Sequence, residues 1–278
     1  MGEFSDPLSP RRLPLRWLYP ANWCAGGFRE QLKYLRRHPE LRRSADKLSD
    51  RAGKQVWKIV LPQELGGAAV ALKFCRGKKP WRYIFDLSPS AREWRNYRAL
   101  YELGIPAAEV LAYGEKRYFG ILYRSFIVTR YIEGTRNGTD FMPGGALRDD
   151  VAMRRRFCEL VAPQLAKLHR HRFFHKALHP RNVLWRGATT EDMEIFFIDL
   201  ARGRICTEEE ELRRAVLFDL YTPLRDLELP TEEGGAFLAA YLENFPDAPF
   251  SREELEAELR AFCRHEKFYN VIDFPAGS

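Results

Sequence analysis

No stretch of this chain approaches the run of about 18 apolar residues that a membrane-spanning helix needs. Its first ten residues, Met1 to Pro10, mix acids with prolines and lack an apolar core, so a secretory leader is not expected. The Met-Gly start has Asp6 where a myristoylation signal carries Ser or Thr. Cysteine is sparse: Cys24, Cys75, Cys158, Cys206 and Cys263, an odd number with no pair at finger or redox spacing. Separate reduced thiols are therefore expected, and a cytoplasmic location with them. Internal repeats and low-complexity runs are also missing, which excludes solenoids and arrays.

The 278 residues are 45% hydrophobic and 30% charged, enough to bury a sizeable core in one two-lobed domain or two small ones. Forty-five basic residues against 38 acidic give a net charge of +7, which points to an anionic partner. The basic residues gather at Arg36, Arg37, Arg42 and Arg43, at Arg76, Lys78, Lys79 and Arg82, and at Arg154 to Arg156. Nucleotide phosphates, anionic lipid and nucleic acid all fit that charge. A solvated basic face is the plain alternative. No stacking motif or zinc knuckle accompanies the charge, and it is spread along the chain, so nucleic acid is not the expected partner.

Periodicity divides the chain in two. After a Pro- and Arg-rich arm, Phe28, Leu32 and Leu35 stand at helical spacing up to Pro39. Gln55–Leu61 and Ala69–Cys75 read as two strands of a hairpin, the second apolar apart from Lys73. Ser90 with Glu93 three residues on has the capping-box pattern, and Trp94, Tyr97, Leu100 and Tyr101 line the helix that follows. Strand-like runs return at Glu109–Tyr113 and Ser125–Tyr131. Beyond that the chain is mostly helical: Phe157 to Leu168 despite Pro163, then Leu212–Leu227, Glu233–Asn244 and Arg252–Lys267. The expectation is an α+β protein with a small mixed lobe at 49–131, a larger helical lobe at 132–278, and an N-terminal arm and helix at 1–48.

Two short motifs interrupt the helical half, His175-Lys176-Ala177-Leu178-His179-Pro180-Arg181-Asn182 and Phe197-Ile198-Asp199-Leu200-Ala201-Arg202. Apolar runs beside them form a hairpin with a turn at Arg186-Gly187-Ala188, which brings an amide oxygen and a carboxylate together. Hard cations such as magnesium choose oxygen ligands of this kind and share them with substrate phosphates. Taken singly the signals are weak, since a strand Lys is often a gatekeeper and a helix Glu a solvated charge. Their order is informative: Lys73 in a strand, Glu93 in the next helix, then Asn182, then Asp199. Protein kinases grip a metal–triphosphate with these residue types in this order.

From Gly53 to about Asn244 the chain resembles the lipopolysaccharide kinase family, the Kdo and heptose kinases of inner-core assembly. The likeness rests on Ala71-Leu72-Lys73-Phe74 with Pro80-Trp81-Arg82, and on Ser90 to Asn96 leading through Leu103-Gly104-Ile105-Pro106 to Val110 to Glu115. Phe126-Ile127-Val128-Thr129, Leu165-Ala166-Lys167-Leu168-His169 and Phe196 to Leu200 complete it. The resemblance implies a two-lobed protein-kinase-like fold and transfer of phosphate from ATP, with magnesium, to a sugar hydroxyl of lipopolysaccharide core or a related anionic glycolipid. It implies a peripheral contact with the inner membrane as well. It assigns the phosphates to Lys73 with Glu93, the metal to Asn182 and Asp199, and the adenine to Arg130, Tyr131 and Ile132. Gly53 would lie in the turn over the phosphates.

One departure bears on chemistry. Where the family carries an Asp to accept the acceptor hydroxyl's proton, this chain has Ala177. Loss of a general base costs about 10²–10⁴-fold, yet phosphoryl transfer leans mainly on positioning and electrostatics. A slow enzyme and a pseudokinase that only binds nucleotide or a partner are both expectations. Four of the six histidines, His169, His171, His175 and His179, crowd together, and on one helix His171 and His175 would share a face as zinc ligands do. Phe173-Phe174 marks the helix as already ended and no Cys or carboxylate is near, so zinc is not expected and His175 is expected to brace the loop.

Overall fold

A computed structural model of the chain describes residues 23–51, 54–75, 83–84 and 86–265. They form two compact units, the first comprising 1–98 and 108–133 and the second 99–107 and 134–278. Gly53, the Arg76 to Arg82 cluster and the arm lie outside the described residues.

The first unit is built on a six-stranded antiparallel sheet. Its strands are β1 (Trp23–Cys24), β2 (Asp46–Arg51), β3 (Lys54–Val60), β4 (Ala69–Cys75), β5 (Val110–Tyr118) and β6 (Ile121–Arg130), in the spatial order β1-β5-β6-β4-β3-β2. Alternation along β4 decides what each face meets, because successive side chains point to opposite sides. Val70 and Leu72 enter a core with Trp57, Ile59, Leu111 and Val128, closed by Phe28 and by Leu35 of helix α1 (Arg29–Arg37). Phe74 extends this face, its ring 5.9 Å from Trp57 and 6.0 Å from Phe126. Lys73 therefore points to the opposite face. A short helix α2 (Leu41–Ser44) precedes β2, and Arg42 lies over the Phe74 ring at 4.9 Å.

Helix α3 (Pro89–Glu102) starts two residues earlier than the capping-box pattern implies. Ser88 Oγ accepts the Ala91 amide at 3.1 Å, with Pro89 at the first helical position, where its missing N–H costs nothing. Ser90 instead donates to Ser125 Oγ at 2.9 Å, and Glu93 is taken by a different partner. Trp94 stacks near Tyr113, with ring centroids 5.1 Å apart.

The second unit holds α4 (Val151–Arg170), α5 (Glu209–Leu227), α6 (Thr231–Glu243) and α7 (Arg252–His265), with small sheets between them. β9 (Val183–Arg186) and β10 (Glu194–Phe197) are the expected hairpin, with β7 (Arg136–Asn137) beside β9. The connection is wider than the expected tight turn. It spans 187–193, and the Asp192 carboxylate accepts the Ala188 and Thr189 amides. β8 (Phe173–Phe174) pairs with β11 (Arg204–Ile205). Among the described residues no helix is long and apolar enough to cross a membrane.

Arg154 is the clearest correction to the charge map. Rather than facing an anionic partner, it is buried against Glu233 of α6, with nitrogen–oxygen distances of 2.6 and 2.9 Å. It sits one turn before Phe157 on the apolar stripe of α4, where an unpaired cation would be costly. The Glu233 hydrogen bond raises its pKa against the opposing effect of burial.

Candidate active site

Lys73 and Glu93 meet in the first unit. The Lys73 ammonium donates to both carboxylate oxygens of Glu93, at 2.7 and 2.6 Å, and the two side chains are only 9% and 2% exposed. β4 carries the lysine out on the α3 face, and the first turns of α3 bring the acid over it. A bidentate, desolvated pair of this kind fixes the position of a flexible ammonium. The 130–132 segment continues β6. Its Arg130 and Tyr131 amides are both spent, donating to Glu109 O at 2.8 Å and Ala69 O at 3.1 Å.

Asn182 and Asp199 belong to the second unit, and the β9–β10 ladder brings them together. Val183 pairs with Phe197, and the ladder runs one step further, with Ile198 N donating to Asn182 O at 2.9 Å. Asp199 is the next residue. The Asn182 side chain donates through Nδ2 to Ala177 O at 2.7 Å. A carbonyl can only accept, so the amide nitrogen must face it and the amide oxygen must face away. That leaves the oxygen as the atom suited to a hard cation. Asp199 adopts a left-handed backbone, φ 62° and ψ 51°, which a short polar side chain tolerates better than a bulky one. Two oxygen donors, an amide and a carboxylate, fit magnesium that completes its shell from phosphate and water.

The 175–182 loop between them is held from below by a residue that sequence reasoning missed. Asp219, in the middle of α5 and fully buried, accepts the His175 amide at 2.7 Å and the Lys176 amide at 2.9 Å. His169 adds a third contact through Nε2 at 3.4 Å, and its Nδ1 lies 2.8 Å from Tyr241 Oη. Burial and the nearby Asp219 charge push the Tyr241 phenol well above its ordinary pKa, so it stays protonated. Lys176, whose own amide and that of His175 are both held by Asp219, adopts φ 60°. Gly138 permits the other side of the loop to close: a Cβ there would stand 2.8 Å from Pro180 O.

A sequence profile of the lipopolysaccharide kinase (Kdo/WaaP) family matches residues 74–241, more than half of the chain. The chain belongs to this family. A solved structure titled "WaaP in complex with acyl carrier protein" superposes with a TM-score of 0.63 at 20% identity, covering 90% of this chain and 99% of that one. No curated protein sequence matches. The fold is thus the two-lobed kinase-like one, α+β with an antiparallel sheet.

Within that fold the crowded histidines have separate tasks. α4 ends at Arg170, so His171 and His175 do not share a helix face. His175 is buried beside Phe197, and neither ring nitrogen has a hydrogen-bond partner. Burial lowers its pKa and keeps it neutral, against the pull of Asp219 and Asp199. Among the described residues no group of three His, Cys, Asp or Glu side chains is placed to hold a metal. Ala177 is buried in the loop, where its methyl offers no proton chemistry. His179, two residues on, has Nδ1 2.6 Å from Asp226 Oδ2. Burial would raise the Asp226 carboxyl, but hydrogen bonds from His179 and Arg225 outweigh it and hold the acid ionised. An ionised carboxylate only accepts, so Nδ1 is the donor in this contact, and in the neutral imidazole Nε2 is then the acceptor.

Proposed function

We propose that this chain is an ATP- and magnesium-dependent phosphotransferase of the lipopolysaccharide-kinase type, acting on a sugar hydroxyl of inner core or of a related anionic glycolipid at the inner-membrane surface. Lys73, tethered by Glu93, takes the α- and β-phosphates. The Asn182 oxygen and Asp199 carboxylate take magnesium, which neutralises charge on the transferring phosphoryl group. The 130–132 segment lies along the adenine. The observation that carries this reading is the Asn182 side chain, whose nitrogen is turned to the Ala177 carbonyl so that its oxygen faces away from it, on a residue whose backbone carbonyl accepts the amide of Ile198, next to Asp199.

The step itself runs without the usual base. His179, aligned by Asp226, is the group in the loop able to accept the hydroxyl proton. A second reading, a nucleotide-binding pseudokinase, is favoured by Ala177 alone. Three chains separate the two in one experiment: wild type, Ala177→Asp and His179→Gln, each assayed for ATP–magnesium binding by thermal shift and for phosphate transfer to core glycolipid. Slow turnover in wild type, about 10²–10⁴-fold faster in Ala177→Asp and lost in His179→Gln, supports the enzyme. Binding without turnover in wild type, with turnover appearing in Ala177→Asp, identifies a binder that lost its base. No binding by either chain refutes the nucleotide site.

A further inference from the structure

The β5–β6 hairpin ends in a two-residue turn, Phe119-Gly120, with φ 48° and 78°. Two consecutive left-handed residues are what a type I′ turn demands, and Asn, Asp or Gly is the residue such turns select at the first position. Phe119 is a poor choice for the backbone and contributes nothing to the core, being 91% exposed. Its neighbours repeat the anomaly: Tyr118, Ile121 and Tyr123 are 52%, 42% and 51% exposed. Neither turn chemistry nor packing accounts for four large apolar side chains on one tip.

The tip is also rigid and layered. Arg117 is buried in an ion pair with Glu115 at 2.7 Å and donates to Gly120 O at 3.0 Å, locking the turn from behind. Tyr118 and Tyr123 pack edge to face, with ring centroids 5.8 Å apart. Lys116 Nζ lies 5.2 Å from one ring and 5.8 Å from the other, and Arg124 Cζ lies 5.1 Å from Tyr123. From the turn inward the order is Phe119, then Tyr118 paired with Ile121, then Tyr123, and last Lys116 paired with Arg124. Interfacial membrane segments sort their residues in this order, apolar into the acyl boundary, Tyr at the headgroups, Lys and Arg on lipid phosphates.

We propose that this hairpin tip inserts into the surface of an anionic bilayer. Phe119 enters the headgroup–acyl boundary with Ile121 and Tyr118 at its edge, Tyr123 sits at headgroup level, and Lys116 and Arg124 meet lipid phosphates. A protein partner or second copy fits less well, because aromatic side chains cover about 150–250 Å² each, and half-exposed ones fall short of the roughly 800 Å² per partner of a stable interface. A bilayer needs only a few apolar groups assisted by charge. The inference deepens the inner-membrane part of the proposed function and is independent of the phosphate-transfer site.

The test is co-sedimentation of the full chain with phosphatidylglycerol-containing vesicles and with phosphatidylcholine vesicles, for wild type, Phe119→Asn and Ile121→Ser. ATP–magnesium thermal shift is measured alongside. Asn suits the turn, so Phe119→Asn is expected to melt no earlier than wild type, to keep its nucleotide response, and to bind anionic vesicles about tenfold or more weakly. Wild-type binding is expected to fall at high salt and on neutral vesicles. Equal vesicle binding by wild type and Phe119→Asn overturns the proposal, as does no binding by wild type. Dimerisation abolished by Phe119→Asn, with vesicle binding unchanged, would assign the tip to a second copy instead. Loss of nucleotide response with vesicle binding intact would refute the phosphotransferase reading and leave the anchor standing.

Discussion

Removing either member of the Lys73–Glu93 pair leaves a charge stranded in a site only 9% and 2% exposed. Breaking a buried pair from one side costs about 3–5 kcal/mol, because the remaining ion loses its partner while staying desolvated. Glu93→Leu and Lys73→Met are each expected to destabilise by that amount in urea titrations. The double variant is a different case. Two apolar side chains of similar volume strand no charge, and replacement of a buried pair in this way is often neutral or stabilising by about 1–4 kcal/mol. The double variant should therefore recover most of the loss, giving a coupling energy of several kcal/mol in the cycle.

Function should not recover with it. If Lys73 holds phosphate oxygens, the double variant folds and fails to bind ATP–magnesium in calorimetry. Trp94, adjacent to Glu93 and 5.6 Å from Trp23, reports the local fold by fluorescence in the same samples. ATP binding by the double variant at wild-type affinity would refute Lys73 as a phosphate ligand. Single-variant losses below about 1 kcal/mol would refute the premise that the pair is desolvated.

Other outcomes follow from the same geometry. Asp219→Ala strips the acceptor from two backbone amides and should destabilise by about 2–5 kcal/mol in denaturant melts. Asp199→Asn keeps a residue that tolerates φ 62°, so its melting temperature should change little, while the magnesium-dependent part of nucleotide binding disappears. His175 has a folded pKa below its unfolded value. Its stability contribution is complete above about pH 6.5 and is lost as pH falls further, because the unfolded chain takes the proton first. His175→Leu should flatten the stability–pH curve between about pH 6.5 and the folded pKa. Burial pushes the Cys158 and Cys206 thiols up to about 12 and about 11, so both should resist thiol reagents until the protein unfolds.

The parts of the fold visible in the sequence are those where burial imposes a period. Alternation exposes β3, continuous apolar runs expose β4 and β10, and heptad-like spacing exposes α4 and α5. β2 was not legible, because Asp46 to Arg51 is a polar edge strand with no apolar face to alternate. β1 is too short to carry a pattern. The misplaced cap on α3 has a related cause. Ser88 and Ser90 both suit a cap, and only the tertiary demand of Lys73 for Glu93 decides between the two registers. Asp219 left a faint trace in the sequence. It falls three residues after Val216 and seven after Leu212, on the buried stripe of α5, where an acid is tolerable only with several donors aimed at it. Arg154 left the same trace on α4. A charge on an apolar stripe marks an internal anchor rather than a surface field.

The loop around Ala177 keeps structure that an inert scaffold has no use for. Lys176 and Asp199 are both held at positive φ, 60° and 62°, and each such residue costs on the order of 1–3 kcal/mol unless its surroundings enforce it. The enforcement at Lys176 comes from a buried acid, itself an expensive device, which fixes the backbone directly before residue 177. The Ala177 carbonyl is then used twice, by His179 N at 2.8 Å and by Asn182 Nδ2 at 2.7 Å. The strain and the anchors therefore act on the main chain at 177 and on the oxygen of Asn182, neither of which depends on a side chain at 177. An Ala at 177 offers no proton acceptor and still leaves the Asn182 amide held in place. If the proposed site holds nucleotide, Ala177→Asp should raise phosphate transfer while leaving ATP–magnesium affinity within about twofold, because neither the main chain at 177 nor the Asn182 bond changes.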